Sequence, residues 1–115
     1  MRRLLPLLLL AGFAGCDQPD ARLTVAEVLA DPGRYVEQVI ELNGEASEAS
    51  GLFSVGVYDF TDGTGTVTVV TTQGLPADGS RFRLLGSVST GVTVGGRRYG
   101  TAVYEDERIY TDEGN

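Results

Sequence analysis

The segment that indicates the fold most directly is residues 58–70, with the sequence YDFTDGTGTVTVV. Apolar and polar residues alternate on both sides of Asp62-Gly63-Thr64-Gly65, and such alternation is typical of strands with one buried face. The aspartate and the two glycines in the middle are typical of a tight turn. The segment therefore predicts a β-hairpin whose strands occupy residues 52–60 and 66–72.

Three further strands are predicted at residues 38–49, 81–90 and 99–110, where runs of β-branched and aromatic residues lie between turn signals. Gly44 is expected to allow the bend of a barrel corner, and Gly95-Gly96 to form the tip of a second hairpin. Residues 73–80, which contain proline and glycine, are expected to be a loop. The alternation assigns positions to the two faces: Ile40, Leu42, Phe82 and Leu84 inward; Glu41, Glu45, Arg81 and Arg83 outward.

A helix of about two turns is predicted before the strands. Thr24 and Glu27 have the spacing of a capping box, in which each side chain accepts a hydrogen bond from the other residue's backbone amide. The sequence DPG at residues 31–33 ends the helix. Positions i, i+3 and i+4 form one apolar stripe: Val25, Val28 and Leu29. A helix this short is not stable alone, so the stripe must pack on another element.

Five strands and one short helix predict an all-β domain, and so small a sheet must hide its edges in a closed or partly open barrel. Four segments resemble small bacterial OB-fold domains of exported proteins, including the tRNA-anticodon type and small periplasmic OB proteins: VIELNGE at residues 39–45, YDFTDGTG at 58–65, LPADG at 75–79 and FRLLG at 82–86. The resemblance covers about residues 24–110 and implies a five-stranded OB-fold-like barrel. It specifies fold better than function. Many OB-folds carry a helix between the third and fourth strands, where this chain has only a loop, so the helix after Thr24 is expected to cap the barrel instead.

The amino-terminal residues predict export. Arg2 and Arg3 precede an apolar run at residues 4–14, which has the length of a secretory h-region and falls short of the roughly 20 residues of a membrane-spanning helix. The end of the run, FAGC at residues 13–16, resembles the lipobox of bacterial lipoproteins, although Phe13 replaces the usual leucine. The resemblance implies that Cys16 is acylated and anchors the chain in the membrane. The alternative is an ordinary signal peptide cleaved near residues 19–21.

The predicted organisation is a lipoprotein signal peptide at residues 1–15, a lipidated tether at 16–22, the OB-fold-like domain at 23–111 and a tail at 112–115. Asp17 resembles a signal for retention at the inner membrane in some Gram-negative bacteria, so the expected location is the periplasmic side of that membrane. The chain contains 16 acidic residues and 9 arginines, without lysine or histidine, for a net charge of −7. Removal of residues 1–15 removes two arginines and leaves 7 − 16 = −9.

Composition excludes several classes of function. Without histidine the chain lacks the commonest general base and metal ligand. A single cysteine excludes an internal disulfide, a cysteine-rich zinc site and a redox pair. We therefore expect no enzyme activity, cofactor or metal site. Asp59 and Asp62 flank the hairpin turn and faintly suggest calcium, but the sequence places no third carboxylate beside them, and turn formation is the favoured interpretation. The periplasmic haem chaperone of cytochrome c maturation is also a membrane-anchored OB barrel, yet it attaches haem through a histidine that this chain lacks.

Candidate binding residues follow from the expected fold, because OB-folds bind ligands on the second and third strands and the adjoining loops. Tyr58 and Phe60 either form an exposed stacking platform or belong to the core, since a bulge at Gly56 would change which side chains point inward. Glu105-Asp106-Glu107 is either a surface for basic partners or a solvated strand end. The remaining candidates are basic or aromatic residues of the last two strands: Arg81, Arg83, Arg97, Arg98 and Tyr99. The arginines at the hairpin tip either bind an anionic partner or keep an exposed hairpin soluble.

These observations favour a lipid-anchored binding or adaptor module of the cell envelope that recognises a protein or a glycan. The alternative is a binder of single-stranded nucleic acid, which would need a positive groove beside stacked aromatic rings. A hydrolase would need a cluster of perturbed carboxylates in a cleft.

Overall fold

The computed structural model describes residues 19–52 and 54–110. The predicted signal peptide, Cys16, Asp17 and the tail at residues 112–115 lie outside this part of the chain. The elements, in chain order, are β1 (Ala21–Arg22), α1 (Val25–Ala30), a 3₁₀ helix (Pro32–Tyr35), β2 (Val39–Leu52), β3 (Val55–Thr61), β4 (Thr66–Thr71), β5 (Arg81–Val94) and β6 (Arg97–Tyr110). No helix within the described residues has the length and apolarity needed to cross a membrane.

Strands β2 to β6 form a closed barrel. β2 pairs antiparallel with β3 and β3 with β4, while β4 pairs parallel with β6, and β6 pairs antiparallel with β5. The long strand β2 closes the ring, because residues 39–45 also pair with β5. At the corner, a Cβ atom on Gly44 would overlap the carbonyl oxygen of Thr61. The predicted five-stranded barrel and its glycine corner are confirmed.

The interior is one continuous apolar cluster to which every barrel strand and α1 contribute. The predicted inward positions Ile40, Leu42, Phe82 and Leu84 are all at most 2% exposed. The cluster of buried residues consists of Val25, Val28, Ile40, Leu42, Ala46, Tyr58, Phe60, Val67, Val69, Phe82, Leu84, Val88 and Val103.

Helix α1 closes one end of the barrel, as predicted. Both halves of the capping box are present at Thr24. The amide of Val25 donates to Asp62 Oδ2 at 2.9 Å, and the amide of Ala26 donates to Thr64 Oγ1 at 3.0 Å. The β3–β4 turn therefore caps the helix from a distant part of the chain. Leu29, also predicted for the packed stripe, is 40% exposed.

Gly56 does not form the bulge that would have changed which side chains of β3 point inward. Gly56 pairs in regular register with Gly51 on β2 and with Thr71 on β4. The irregularity falls on β2 between Ser47 and Ser50, where Glu48 has a φ of 53°. Because β3 is regular, its side chains alternate between the two faces from residue 55 to residue 61.

The domain begins earlier than residue 23. Ala21 and Arg22, assigned from the sequence to the tether, pair parallel with β2. The carboxylate of Asp20 accepts a hydrogen bond from the amide of Val39 at 2.8 Å, and the amide of Leu23 donates to the carbonyl of Glu41 at 3.0 Å. Residues 20–23 are therefore fixed to the barrel wall.

The expectation that Glu41 faces solvent is wrong, since it is 3% exposed. Its side chain does point away from the barrel interior, but β1 covers this part of β2. Arg22 Nε and Arg83 Nη1 each lie 3.4 Å from Glu41 Oε1. The alternation of β2 agrees with the prediction, and the burial of Glu41 comes from its pairing with β1.

Candidate functional site

A groove of about 490 Å³ lies between the tip of the β2–β3 hairpin and the tip of the β5–β6 hairpin. Val55 and Val57 line it from β3, and Val94, Arg97 and Tyr99 line it from the other hairpin. We call this feature the tip groove. Strand β3 forms one side of the groove and the β5–β6 hairpin forms the other, so residues far apart in sequence share one surface.

The turn at the end of β5 sets the geometry of one wall. Gly95 and Gly96 have φ values of 58° and 81°, which a two-residue hairpin turn of this kind requires and which glycine adopts without strain. Val94 then pairs with Arg97. Arg97 and Tyr99 lie on the same face, and the guanidinium carbon of Arg97 is 5.6 Å from the centroid of the Tyr99 ring.

The floor of the tip groove is aliphatic. A second apolar cluster, separate from the barrel core, joins β3 and β4 to the outer half of the β5–β6 hairpin: Val57, Val70, Val92, Val94 and Ala102. Of these residues, Val57 and Val94 line the groove, and because valine has few side-chain rotamers, the surface that they form is preformed. Val55 at its margin remains 37% exposed.

The charge at the hairpin tip differs from that of the other strand arginines. Arg22, Arg81, Arg83 and Arg108 each form a salt bridge with a glutamate. Within residues 19–52 and 54–110, Arg97 and the neighbouring Arg98 form none. A chain with a net charge of −7 therefore presents free positive charge at this tip.

The structure separates the arginines that were predicted together. Arg97 and Tyr99 line the tip groove, while Arg98 alternates to the opposite face of the hairpin, across from Thr93. Arg81 is 2.9 Å from Glu45, and Arg83 pairs with the buried Glu41, as described above. Both lie on the β2–β5 wall, so they do not contribute to the tip groove.

Tyr58 and Phe60 do not form a stacking platform. They are 1% and 0% exposed, and their ring centroids lie 6.1 and 5.2 Å from that of Phe82. Regular pairing of β3 directs both rings into the barrel. The interpretation of these residues as core is correct.

Glu105 is also buried, although its segment was predicted to be a solvated strand end. Tyr58 Oη donates to Glu105 Oε1 at 2.7 Å, and Arg108 Nε donates to Glu105 Oε2 at 2.8 Å. A bulge of β6 at Asp106 changes the alternation of the strand, so that Glu105 and Arg108 both turn toward the barrel. Asp106 and Glu107 are exposed.

The pKa values of two groups in this network shift upward. Burial, together with the hydrogen bond to the Glu105 carboxylate, raises the pKa of Tyr58 far above its ordinary value of 10. For Arg108, burial opposes the charged form, but hydrogen bonds to Glu105 and Tyr110 outweigh it and raise the pKa. Both groups therefore keep their protons throughout the physiological range.

Asp62 serves the turn and the helix. Burial disfavours its charged form, but hydrogen bonds from Thr64 and from the amide of Val25 outweigh this effect and lower its pKa. The described residues contain no group of three or more metal-ligating side chains that could hold an ion. The geometry supports turn formation over the calcium interpretation of Asp59 and Asp62.

No family model and no curated protein matches this chain. Among solved structures, an OBody bound to hen egg-white lysozyme is similar, with a TM-score of 0.53 and 12% identity over 67% of this chain and 84% of that chain. A protein assigned as an aspartyl-tRNA synthetase, from Leishmania major Friedlin, gives a TM-score of 0.60 and 8% identity over 92% of this chain. The barrel is an OB-fold.

In this OB-fold, β2 to β6 are the five barrel strands in order, and the chain spans 26% of the length of the synthetase. The tip groove lies between the connection of the first and second barrel strands and that of the fourth and fifth. OB-folds bind ligands at these connections and on the face of the second and third strands. The groove is therefore the candidate site.

The valines of the tip groove were not predicted from the sequence. A signal for two of them was present: once Tyr58 and Phe60 are assigned inward, the period of two places Val55 and Val57 outward, and apolar side chains on both faces of a strand indicate a second packing surface. Val94 was missed because β5 was predicted to end at residue 90. Gly91 has a φ of 65°, yet pairing with β6 continues past it.

Proposed function

We propose that the chain is a lipid-anchored binding module of the bacterial cell envelope, which recognises a protein or glycan through the tip groove. It acts by binding rather than by catalysis. The observation that carries the proposal is an aliphatic floor with a free arginine at its rim, placed where OB-folds bind ligands. Anchoring rests on the resemblance of residues 13–16 to a lipobox.

A protein partner fits the floor better than a nucleic acid does. Single strands bind OB-folds by stacking bases on aromatic rings in a positive groove. Here two candidate rings, Tyr58 and Phe60, are buried, and valines occupy the floor. Aliphatic surfaces of this kind suit the apolar side chains of another protein, and Tyr99 offers one ring for a sugar.

The anchor would hold the domain against the membrane. Asp20 is bonded to β2, and only four residue steps separate it from Cys16. A fully extended chain spans at most about 3.5 Å per residue, so the link reaches about 14 Å. The link would therefore keep the start of the barrel, at Asp20, close to the membrane surface.

Site-directed photocrosslinking tests the proposal in the full-length protein in membranes of its native host. A photoactivatable side chain replaces Val55 in the groove, and the matched control replaces Asn43, an exposed residue of β2 on the β2–β5 wall. We expect adducts with a protein or glycan at position 55 but not at position 43. Equal labelling at both positions, or none at either, would contradict the proposal.

The nucleic-acid alternative rests on the free charge of Arg97 and Arg98. It predicts that single-stranded oligonucleotides bind with an affinity that falls steeply as salt rises, because bound phosphates release counterions. We expect weak oligonucleotide binding without that dependence. A steep salt dependence that is lost in Arg97→Glu would establish the alternative.

A further inference from the structure

Both walls of the tip groove contain strand segments with only one partner. β2 pairs with β5 only as far as residue 45, and residues 47–52 pair with β3 alone. β6 pairs with β4 only at residues 102–104, and residues 97–101 pair with β5 alone. Ser50 and Gly51 of the first segment and Arg97 and Tyr99 of the second line the groove.

The backbone groups on the outer edges of these segments are not used elsewhere in the described part of the chain. Neither segment takes part in a backbone hydrogen bond beyond its own ladder, nor does a side chain bond to its amides or carbonyls. Such an edge is a template on which another extended chain adds as a strand. Five residues of β6, 97–101, offer an edge roughly 17 Å long.

The side chains around the edge define what an added strand would carry. Alternate residues of an extended chain point to the same face, and this face would meet the aliphatic floor of Val55, Val57 and Val94. The free guanidinium of Arg97 at the rim favours a carboxylate. The matching segment therefore alternates apolar residues and includes an aspartate or glutamate.

We propose that the tip groove binds an extended polypeptide of a partner protein, which adds as a β-strand to residues 97–101, buries apolar side chains on the valine floor and pairs an acidic residue with Arg97. This inference rests on the proposed function and names its partner chemistry. A second copy of this chain fits less well, because two such tips would bring Arg97 and Arg98 of one copy against those of the other.

The experiment begins with random twelve-residue peptides displayed on phage and selected on the full-length chain in mild detergent. We expect enriched peptides to alternate apolar residues and to contain an aspartate or glutamate. The Arg97→Glu variant should weaken binding of a selected peptide about tenfold or more. Arg98→Glu is the matched control, because it makes the same charge change on the opposite face, and we expect an effect of less than about threefold.

Methylation of the peptide backbone separates strand addition from other modes of binding. In one version of the selected peptide, alternate amides that face β6 carry N-methyl groups, and in the other version the intervening amides do. We expect the first version to lose binding and the second to keep it, because only one set donates to the edge. Equal effects of the two versions would overturn strand addition.

Two further outcomes would overturn the inference while leaving the proposed function standing. The first is labelling of a glycan from position 55 when no peptide is enriched over a bare-surface selection. The second is a dimer of the chain, detected by sedimentation, that Arg97→Glu disrupts and that excludes the peptide. Absence of photocrosslinks at position 55 would instead contradict the proposed function itself.

Discussion

Arg108 joins the barrel core to the loop that follows β4. Its side chain is 10% exposed and that of Glu105 is 0% exposed. The guanidinium donates to Glu105 and to the carbonyl of Gly74 at 2.7 Å, and lies 5.3 Å from the ring centroid of Phe82. Removal of the arginine would leave a buried carboxylate without its positive partner.

We expect Arg108→Leu to lower the free energy of unfolding by about 3–5 kcal/mol, the cost of stranding one member of a buried ion pair. Urea denaturation followed by circular dichroism measures the change. Arg81→Leu is the control, since it breaks the exposed pair with Glu45 and should cost less than about 1 kcal/mol. Similar losses in the two variants would contradict a special role for the buried network.

The raised pKa of Tyr58 makes the free energy of unfolding depend on pH in the alkaline range. Its pKa in the folded protein lies above the ordinary value of 10, so near pH 10 the unfolded chain loses a proton that the folded chain keeps. Stability from this group is complete below pH 10 and falls above it by up to about 1.4 kcal/mol per pH unit. Urea unfolding between pH 9 and 11 should show this slope in the parent and a smaller one in Tyr58→Phe. Parallel slopes would refute the assignment.

The sequence predicted most inward-facing residues, but it did not predict the burial of two acids, Glu41 and Glu105. Alternation placed Ile40 and Leu42 correctly because β2 is regular there. Glu105 lies on the same inward face as Val103, but the run of three acidic residues at 105–107 favours a solvated strand end. The extra residue at Asp106, which turns Arg108 toward Glu105, has no signal in the local composition. Glu41 escaped detection because β1, which covers it, is too short to produce a pattern of its own.

Helix α1 depends on a turn almost forty residues away. Asp62 accepts from the amide of Val25, one of the helix amides that has no partner within the helix. We expect Asp62→Ala to reduce stability by about 1 kcal/mol at pH 7, as for loss of a helix cap. Because the pKa of Asp62 is lowered on folding, its contribution is present above about pH 4 and is lost as pH falls through the folded pKa.

The test is a comparison of Asp62→Ala with Asp78→Ala, an exposed loop residue, by urea unfolding at pH 7 and pH 3. The difference between parent and Asp62→Ala should shrink at the lower pH, whereas Asp78→Ala should stay within about 0.5 kcal/mol of the parent at pH 7. An unchanged difference would mean that the carboxylate charge does not contribute.

The corner of β2 tolerates no side chain. A Cβ at Gly44 would overlap the backbone of β3, so Gly44→Ala must push the strands apart and should cost about 1–3 kcal/mol. Gly100→Ala on β6 is the matched control, because no atom lies within 4 Å of its Cβ position. Thermal unfolding of both variants measures the difference, and equal melting temperatures would show that the corner can relax.

Elements with a local signal were predicted well, and those shaped by tertiary contacts were not. The capping box of α1 and the Gly95-Gly96 tip depend on neighbouring residues, and both are present. The tip groove arises because the outer β5–β6 hairpin packs against β3 and β4. Residues 57 and 94 come together only through that packing, which no window of sequence contains.

For the whole molecule, location is the property to measure first. We expect the protein purified from membranes of its native host to have the mass of residues 16–115 plus acyl chains, and Cys16→Ala to lose both the added mass and membrane attachment. Two or more acyl chains give stable anchoring. Intact-mass spectrometry checks this outcome, and a chain that retains Met1 and fractionates away from membranes would contradict it.

The last described strand has a central place in the barrel. β6 lies between β4 and β5, although it follows both along the chain. During synthesis or threading from the amino terminus, neither β4 nor β5 can therefore pair with β6 until residues 97–110 have emerged. The barrel therefore stays open until residues 97–110 have emerged, and if the chain is exported as we propose, this order would let it pass through a narrow translocation pore before it folds.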